Sequence, residues 1–172
     1  MSRVPIDGTN TGIDHFIPGL AVNKLTSGGA AQLGLTYYFY PSGSTSLSVG
    51  FTSSTDAGNT WSTPQTLASG MPTTWVANTS QGRMVGDYIS TSYGSDNLAH
   101  GVFATAGAPT SGTACGSTTT PDNCVEPMSS GSGLAAGSAS AAADPVLFSG
   151  IGNVGANSLW NVVDNNGSKH RD

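Results

Sequence analysis

Few residues in this chain can do acid–base, nucleophilic or metal chemistry, because only ten are acidic, five basic and three histidine among 172. Asp14, His15 and Asp87 are the first candidates. Two carboxylates supply the hard oxygen ligands that Ca²⁺ takes, and a carboxylate beside an imidazole can activate water. The plainer reading has Asp14 capping a turn, His15 packing, and Asp87 bonding to backbone. His100, in the strand-like run Leu98-Ala99-His100-Gly101-Val102-Phe103-Ala104, reads as a packed or surface residue before a site residue. Tyr37, Tyr38 and Tyr40 form an aromatic strand in which alternation sets Tyr37 on the face opposite the other two. Core packing is their plain role, and sugar stacking by an exposed Tyr38 and Tyr40 the sharper one. Serine catalysis lacks its elbow, since no Gly-x-Ser-x-Gly follows a strand and precedes a helix.

The remaining composition bounds the class of protein. Charged residues make up 9% of the chain, against roughly 25% in ordinary globular proteins. Twenty-four glycines and abundant Ser and Thr describe a turn-rich, uncharged, all-β chain of extracellular type, long enough for a single domain over 1–172. With a net charge of −5 and no basic patch, nucleic acid is excluded as a partner, because phosphate neutralisation drives that binding. No apolar run reaches the roughly 20 residues of a membrane helix, so no membrane partner is expected. Met1-Ser2-Arg3-Val4-Pro5 lacks the apolar core of a secretory signal. The expectation is secreted or periplasmic ancestry, with this chain the late-starting tail of a longer protein and cytoplasmic as expressed.

Strands must position these residues. Asp14-His15-Phe16-Ile17-Pro18-Gly19-Leu20-Ala21-Val22 is an apolar run with glycine at its centre, the mark of a buried strand closely approached by another backbone. A second strand runs through Leu33, Leu35, Tyr37 and Phe39, and Leu47-Ser48-Val49-Gly50-Phe51-Thr52 alternates as a third. A fourth is expected over Ser62-Thr63-Pro64-Gln65-Thr66-Leu67, with Pro64 suggesting an edge. Between the last two lies Ser54-Thr55-Asp56-Ala57-Gly58-Asn59-Thr60-Trp61. Here Asp56 can accept hydrogen bonds from its own turn, Gly58 supplies positive φ, Thr60 closes the turn, and Trp61 tucks beneath it.

The window 54–61 carries Ser54, Asp56, Gly58, Thr60 and Trp61 in the pattern Ser-x-Asp-x-Gly-x-Thr-Trp, and resembles the Asp-box, or bacterial neuraminidase repeat. That resemblance implies a sialidase-like β-propeller, in which the box is structural. It implies a first four-stranded blade over 14–68 and a second, interrupted blade over 82–163. The segment Gly82-Arg83-Met84-Val85-Gly86-Asp87-Tyr88-Ile89-Ser90 is then an inner strand, and the similarity to the last blades of such proteins spans about 10–106. Two blades leave broad apolar faces uncovered, so association of several copies into a ring is expected, with a self-covering sandwich as the alternative.

Propeller geometry brings Asp14, His15 and Asp87 to one channel. It implies Ca²⁺ held by Asp14 and Asp87, with His15 and Asp87 as the catalytic pair acting on a small lactone or ester. Arg83 and Tyr88 are the implied substrate-binding residues. A working sialidase is not encoded, because its arginine triad would need Arg3 and Arg171 near the chain ends, and Glu126 is the sole glutamate. A glycan-acting or glycan-binding module and a non-catalytic propeller fragment stay open beside the hydrolase. Residues 107–141 are Gly, Ser, Thr, Ala and Pro-rich and are expected to form a low-complexity loop. Within it Cys115 and Cys124 suit a disulfide. Two short strands, 145–148 and 159–163, and a turn at 165–167 close the chain.

Overall fold

A computed structural model describes residues 3–116, 123–134 and 146–147. It is all-β: two four-stranded antiparallel sheets and a two-stranded hairpin. In the first sheet β1 (Asp14–Val22), β2 (Leu33–Tyr40), β3 (Ser46–Ser54) and β4 (Gln65–Pro72) follow one another in space as in sequence. The fourth strand starts three residues later than the expected Ser62 and runs to Pro72. Proline cannot donate to a ladder, and the strand begins just after Pro64.

Strand β1 is bulged between Phe16 and Gly19. Pro18 has no N–H to give to β2, and the bulge removes the demand. Ile17 takes φ 46° there, a left-handed conformation that is costly for a β-branched residue and disfavoured before proline. Beyond the bulge, a Cβ on Gly19 would lie 2.9 Å from the Ile89 carbonyl oxygen. The glycine is there because a second backbone passes against it.

The turn between β3 and β4 is built on Asp56. Its Oδ1 accepts from the Thr60 N–H at 2.8 Å and the Ser54 hydroxyl at 2.8 Å, and its Oδ2 accepts from the Thr60 hydroxyl at 2.6 Å. The Thr60 hydroxyl, then the Thr60 N–H and the Ser54 hydroxyl, hold the Asp56 carboxyl below the usual carboxylate range. Gly58 has φ 87°, and the Trp61 Nε1–H donates to its carbonyl at 3.1 Å.

After β4 come the hairpin strands β5 (Ala77–Thr79) and β6 (Gly82–Met84), then the second sheet. Its strands β7 (Ser90–Tyr93), β8 (Ala99–Ala104), β9 (Met128–Leu134) and β10 (Val146–Leu147) are again antiparallel neighbours in sequence order. Two expectations are corrected here. The expected strand over 82–90 is split: Arg83 and Met84 pair with Asn78 and Ala77, and Gly86 at φ 100° breaks the extended run. The expected loop over 107–141 contains β9 and a bridge from Gly107 to Val125. A strand needs a backbone ladder before it needs large side chains, so a Ser/Gly run that pairs with β8 is ordered despite its composition. Of the late strands, Val146 and Leu147 form β10, and 159–163 lie outside the described residues, as does the turn at 165–167.

The sheets pack face to face. Tyr38, Leu47, Val49, Phe51, Leu67 and Met71 meet Ala99, Phe103 and Leu134, with Val76, Ile89 and Ala106 closing the edges. The Tyr38 hydroxyl donates across the interface to the Ala104 carbonyl at 2.8 Å, and burial pushes that phenol up to about 12. The edge strands β1 and β7 are adjacent, joined where the Thr91 hydroxyl meets the Gly19 carbonyl at 2.7 Å. On the other face of the first sheet Tyr37 is buried, while Leu20 and Val22 project outward at 59% and 54% exposure.

Candidate functional site

A cleft lies beside the bulge in β1. Phe16, Ile17, Tyr40 and Leu47 form one wall, and Val76 with Arg83, Met84, Val85 and Gly86 of the hairpin region form the other. It encloses about 180 Å³, below the roughly 300–1,000 Å³ of sites that engulf a drug-sized ligand. The space suits a group inserted from one side. Phe16 stacks on Tyr40 with ring centroids 5.5 Å apart and planes 25° apart. Tyr40 also lines a second, shallower depression with Gly12, Asp14, Pro41, Gly43, Ser44, Thr45 and Thr73. Tyr40, expected to be exposed, is half-buried and packed against the core; lining both hollows, it forms the ridge between them, with Asp14 lining one and Arg83 the other. The strained Ile17 backbone sits in the same wall, and strain of this kind concentrates at functional sites.

The candidates named from sequence are dispersed. Asp14 and His15 are adjacent in a strand, so they point to opposite faces. His15 turns to the outer face, 5.5 Å from the Tyr37 ring and 6.2 Å from Phe39, near the N-terminal segment. There Asp7 pairs with Arg3 and accepts from Thr11. The Thr11 hydroxyl, with His15 and Arg3 adding to it, lowers the Asp7 carboxyl against the opposing effect of burial. Asp87 and Tyr88 lie in the loop after β6, and Tyr88 is 90% exposed. Among the described residues no three His, Cys, Asp or Glu side chains come together as a metal-holding group. His100 faces out of the second sheet, its Nε2 3.2 Å from Asp96. Tyr38, expected as one of an exposed pair, is 1% exposed and belongs to the core.

Arg83 lines the cleft but is held by backbone. Its Nη1 donates to the carbonyls of Val76 and Cys115, each at 2.7 Å. Cys115 and Cys124 are joined in a disulfide, with Cα atoms 4.6 Å apart. Composition hid Glu126, which lies in the low-complexity stretch. Its Oε1 accepts from the Ala77 N–H at 2.7 Å, beside Val76 in the cleft wall. Burial raises the Glu126 carboxyl, against the opposing effects of the Ala77 bond and the Arg83 charge. The sole glutamate of the chain, in a stretch whose only other charge is Asp122, was the available signal, and only its tertiary neighbours give it meaning.

A raised folded-state pKa gives a signed expectation. Glu126 contributes stability that is fully present below its unfolded value near 4.5, and loses it as pH rises through the folded value. In Glu126→Gln the amide oxygen still accepts from Ala77 and carries no charge. Melting temperatures measured between mildly acid and neutral pH should depend less on pH in the variant. At neutral pH the variant should match or exceed the parent, and a clear loss there would show that the charge itself stabilises the fold.

No protein-family model, curated protein or solved structure matches this chain.

Proposed function

We propose that this protein is a glycan-binding module, built from two consecutive blades of the sialidase-like β-propeller type, with its binding groove astride Tyr40. Support for the blades comes from topology. Both sheets run outward in chain order from adjacent edge strands, β1 and β7, as radial repeats do. The Asp56 turn lies between the outer strands of the first sheet.

The observation that carries the binding reading is the Tyr40 ridge, backed by Phe16 and flanked by Asp14 and Arg83. An aromatic face takes the apolar side of a sugar ring, a carboxylate accepts from its hydroxyls, and a guanidinium donates to its oxygens. Open hollows suit a chain of sugars lying across the ridge. The alternative proposal is a hydrolase in which Ca²⁺ on Asp14 and Asp87 activates water, with His15 as base. It gains no support from the geometry, because Asp14 and His15 diverge across the sheet.

The test is retention on a glycan array followed by calorimetry with the strongest ligand. Tyr40→Ala should weaken binding about tenfold or more, the scale of losing one central aromatic contact. His15→Ala, on the other face, should leave binding unchanged. Equal binding by the parent and a folded Tyr40→Ala variant would refute the groove, and a parent retained by no glycan would refute the function.

A further inference from the structure

We propose that the Cys115–Cys124 disulfide is a redox latch on the β5–β6 hairpin, and hence on the cleft; its effect on ligand rests on the glycan-binding reading. The hairpin is two strands of three residues, too short to be stable alone. Val76 and Val85 at its two ends pack against the core, and the rest of its tertiary hold comes from both sides of the disulfide. On the Cys115 side, the Cys115 N–H donates to the Thr74 carbonyl and Arg83 of β6 donates to the Cys115 carbonyl, each at 2.7 Å. Gly116 lies against the Asn78 backbone, where an added Cβ would come within 3.4 Å of the amide nitrogen. On the Cys124 side, Glu126 accepts from Ala77 of β5 at 2.7 Å, and the Gly107 N–H donates to Val125 at 2.7 Å.

The disulfide joins these two footholds covalently. Without it they are linked through Asn123, whose side chain donates to the Ala114 carbonyl at 2.8 Å and accepts from the Gly116 N–H at 2.9 Å. The β2–β3 pair, by contrast, has its own seven-residue register and a buried core. Opening the bond should therefore free the hairpin and leave the first sheet intact. Cys115 is fully buried and Cys124 half-buried, so attack falls on Cys124. A dithiol's thiolate bonds to the Cys124 sulfur, and the Cys115 sulfur leaves and takes a proton. The second thiol then displaces Cys124 as a thiol, and the reductant departs as its cyclic disulfide.

Amide hydrogen exchange of the full chain, with and without dithiothreitol, reads this directly, with a thiol count confirming reduction. Residues 77–84 should exchange about tenfold faster or more after reduction, while 33–54 keep their protection. The Cys115→Ala/Cys124→Ala double variant should reproduce the reduced pattern without reductant, and glycan retention should fall in parallel. Three results would overturn the latch: a bond that dithiothreitol does not open, a reduced protein with unchanged exchange at 77–84, or protection lost uniformly across both sheets. Faster exchange at 77–84 in a protein that no glycan retains in either state would keep the latch and retire the glycan reading alone.

Discussion

Phe103→Ala should cost about 3–5 kcal/mol of unfolding free energy, the usual loss when a fully buried aromatic is truncated. Phe103 has no exposed surface and projects from β8 into the sheet–sheet core with Tyr38, Val49 and Phe51. Its neighbour Val102 points the other way and is 39% exposed. Val102→Ala should therefore stay within about 0.5 kcal/mol, as exposed substitutions do. Domains have roughly 5–15 kcal/mol in total, so the first variant should lower the urea midpoint severely and the second hardly move it. The contrast also tests register, because a slip of one residue exchanges the two faces of a strand. Comparable losses for both variants would mean that β8 is not set against the first sheet as described.

Gly101→Ala should destabilise by about 1–3 kcal/mol, the cost of overfilling a packed interface. The added Cβ would lie 2.6 Å from the Thr36 hydroxyl oxygen and 3.2 Å from its methyl. Thr36 cannot turn away cheaply: it is fully buried, and its hydroxyl lies 2.8 Å from that of Thr91. That second hydroxyl also reaches the Gly19 carbonyl, so one added methyl strains the junction of β1, β2, β7 and β8. Thr36→Ala in the same chain removes the atoms in the way, at the expense of the hydroxyl bond. The double variant should consequently lose less than the sum of the two singles, by about 0.5 kcal/mol or more. Strict additivity in urea titrations would show that the two sheets do not meet at this pair.

Much of the first sheet was legible because its signals are local. Alternation in Leu47-Ser48-Val49-Gly50-Phe51-Thr52 lies within β3, and the glycine after Pro18 marks the place where Ile89 passes. The Asp56 turn is more local still, since its bonds join residues within four positions of one another. The same reading failed over 82–90 and 107–141, where the deciding partner is distant. Arg83 pairs with Asn78 instead of extending toward Asp87. The Ser/Gly run of β9 becomes a strand because β8 is there to receive its hydrogen bonds.

By itself the sequence determined an all-β chain, the first four strands, the turn at 54–61 and a cysteine pair spaced to close a small loop. These follow from side-chain alternation, from turn chemistry and from contacts between near neighbours. Tertiary structure alone decided which chemical groups share a site. It sent Asp14 and His15 to opposite faces of β1, placed Tyr38 in the core and Tyr40 between two hollows, set Arg83 in the cleft wall with the distant Cys115 carbonyl as partner, and brought Glu126 to the Ala77 N–H behind that wall. The physical reason is range: a strand's periodicity specifies which face a residue occupies, whereas what lies against that face depends on how separate sheets pack.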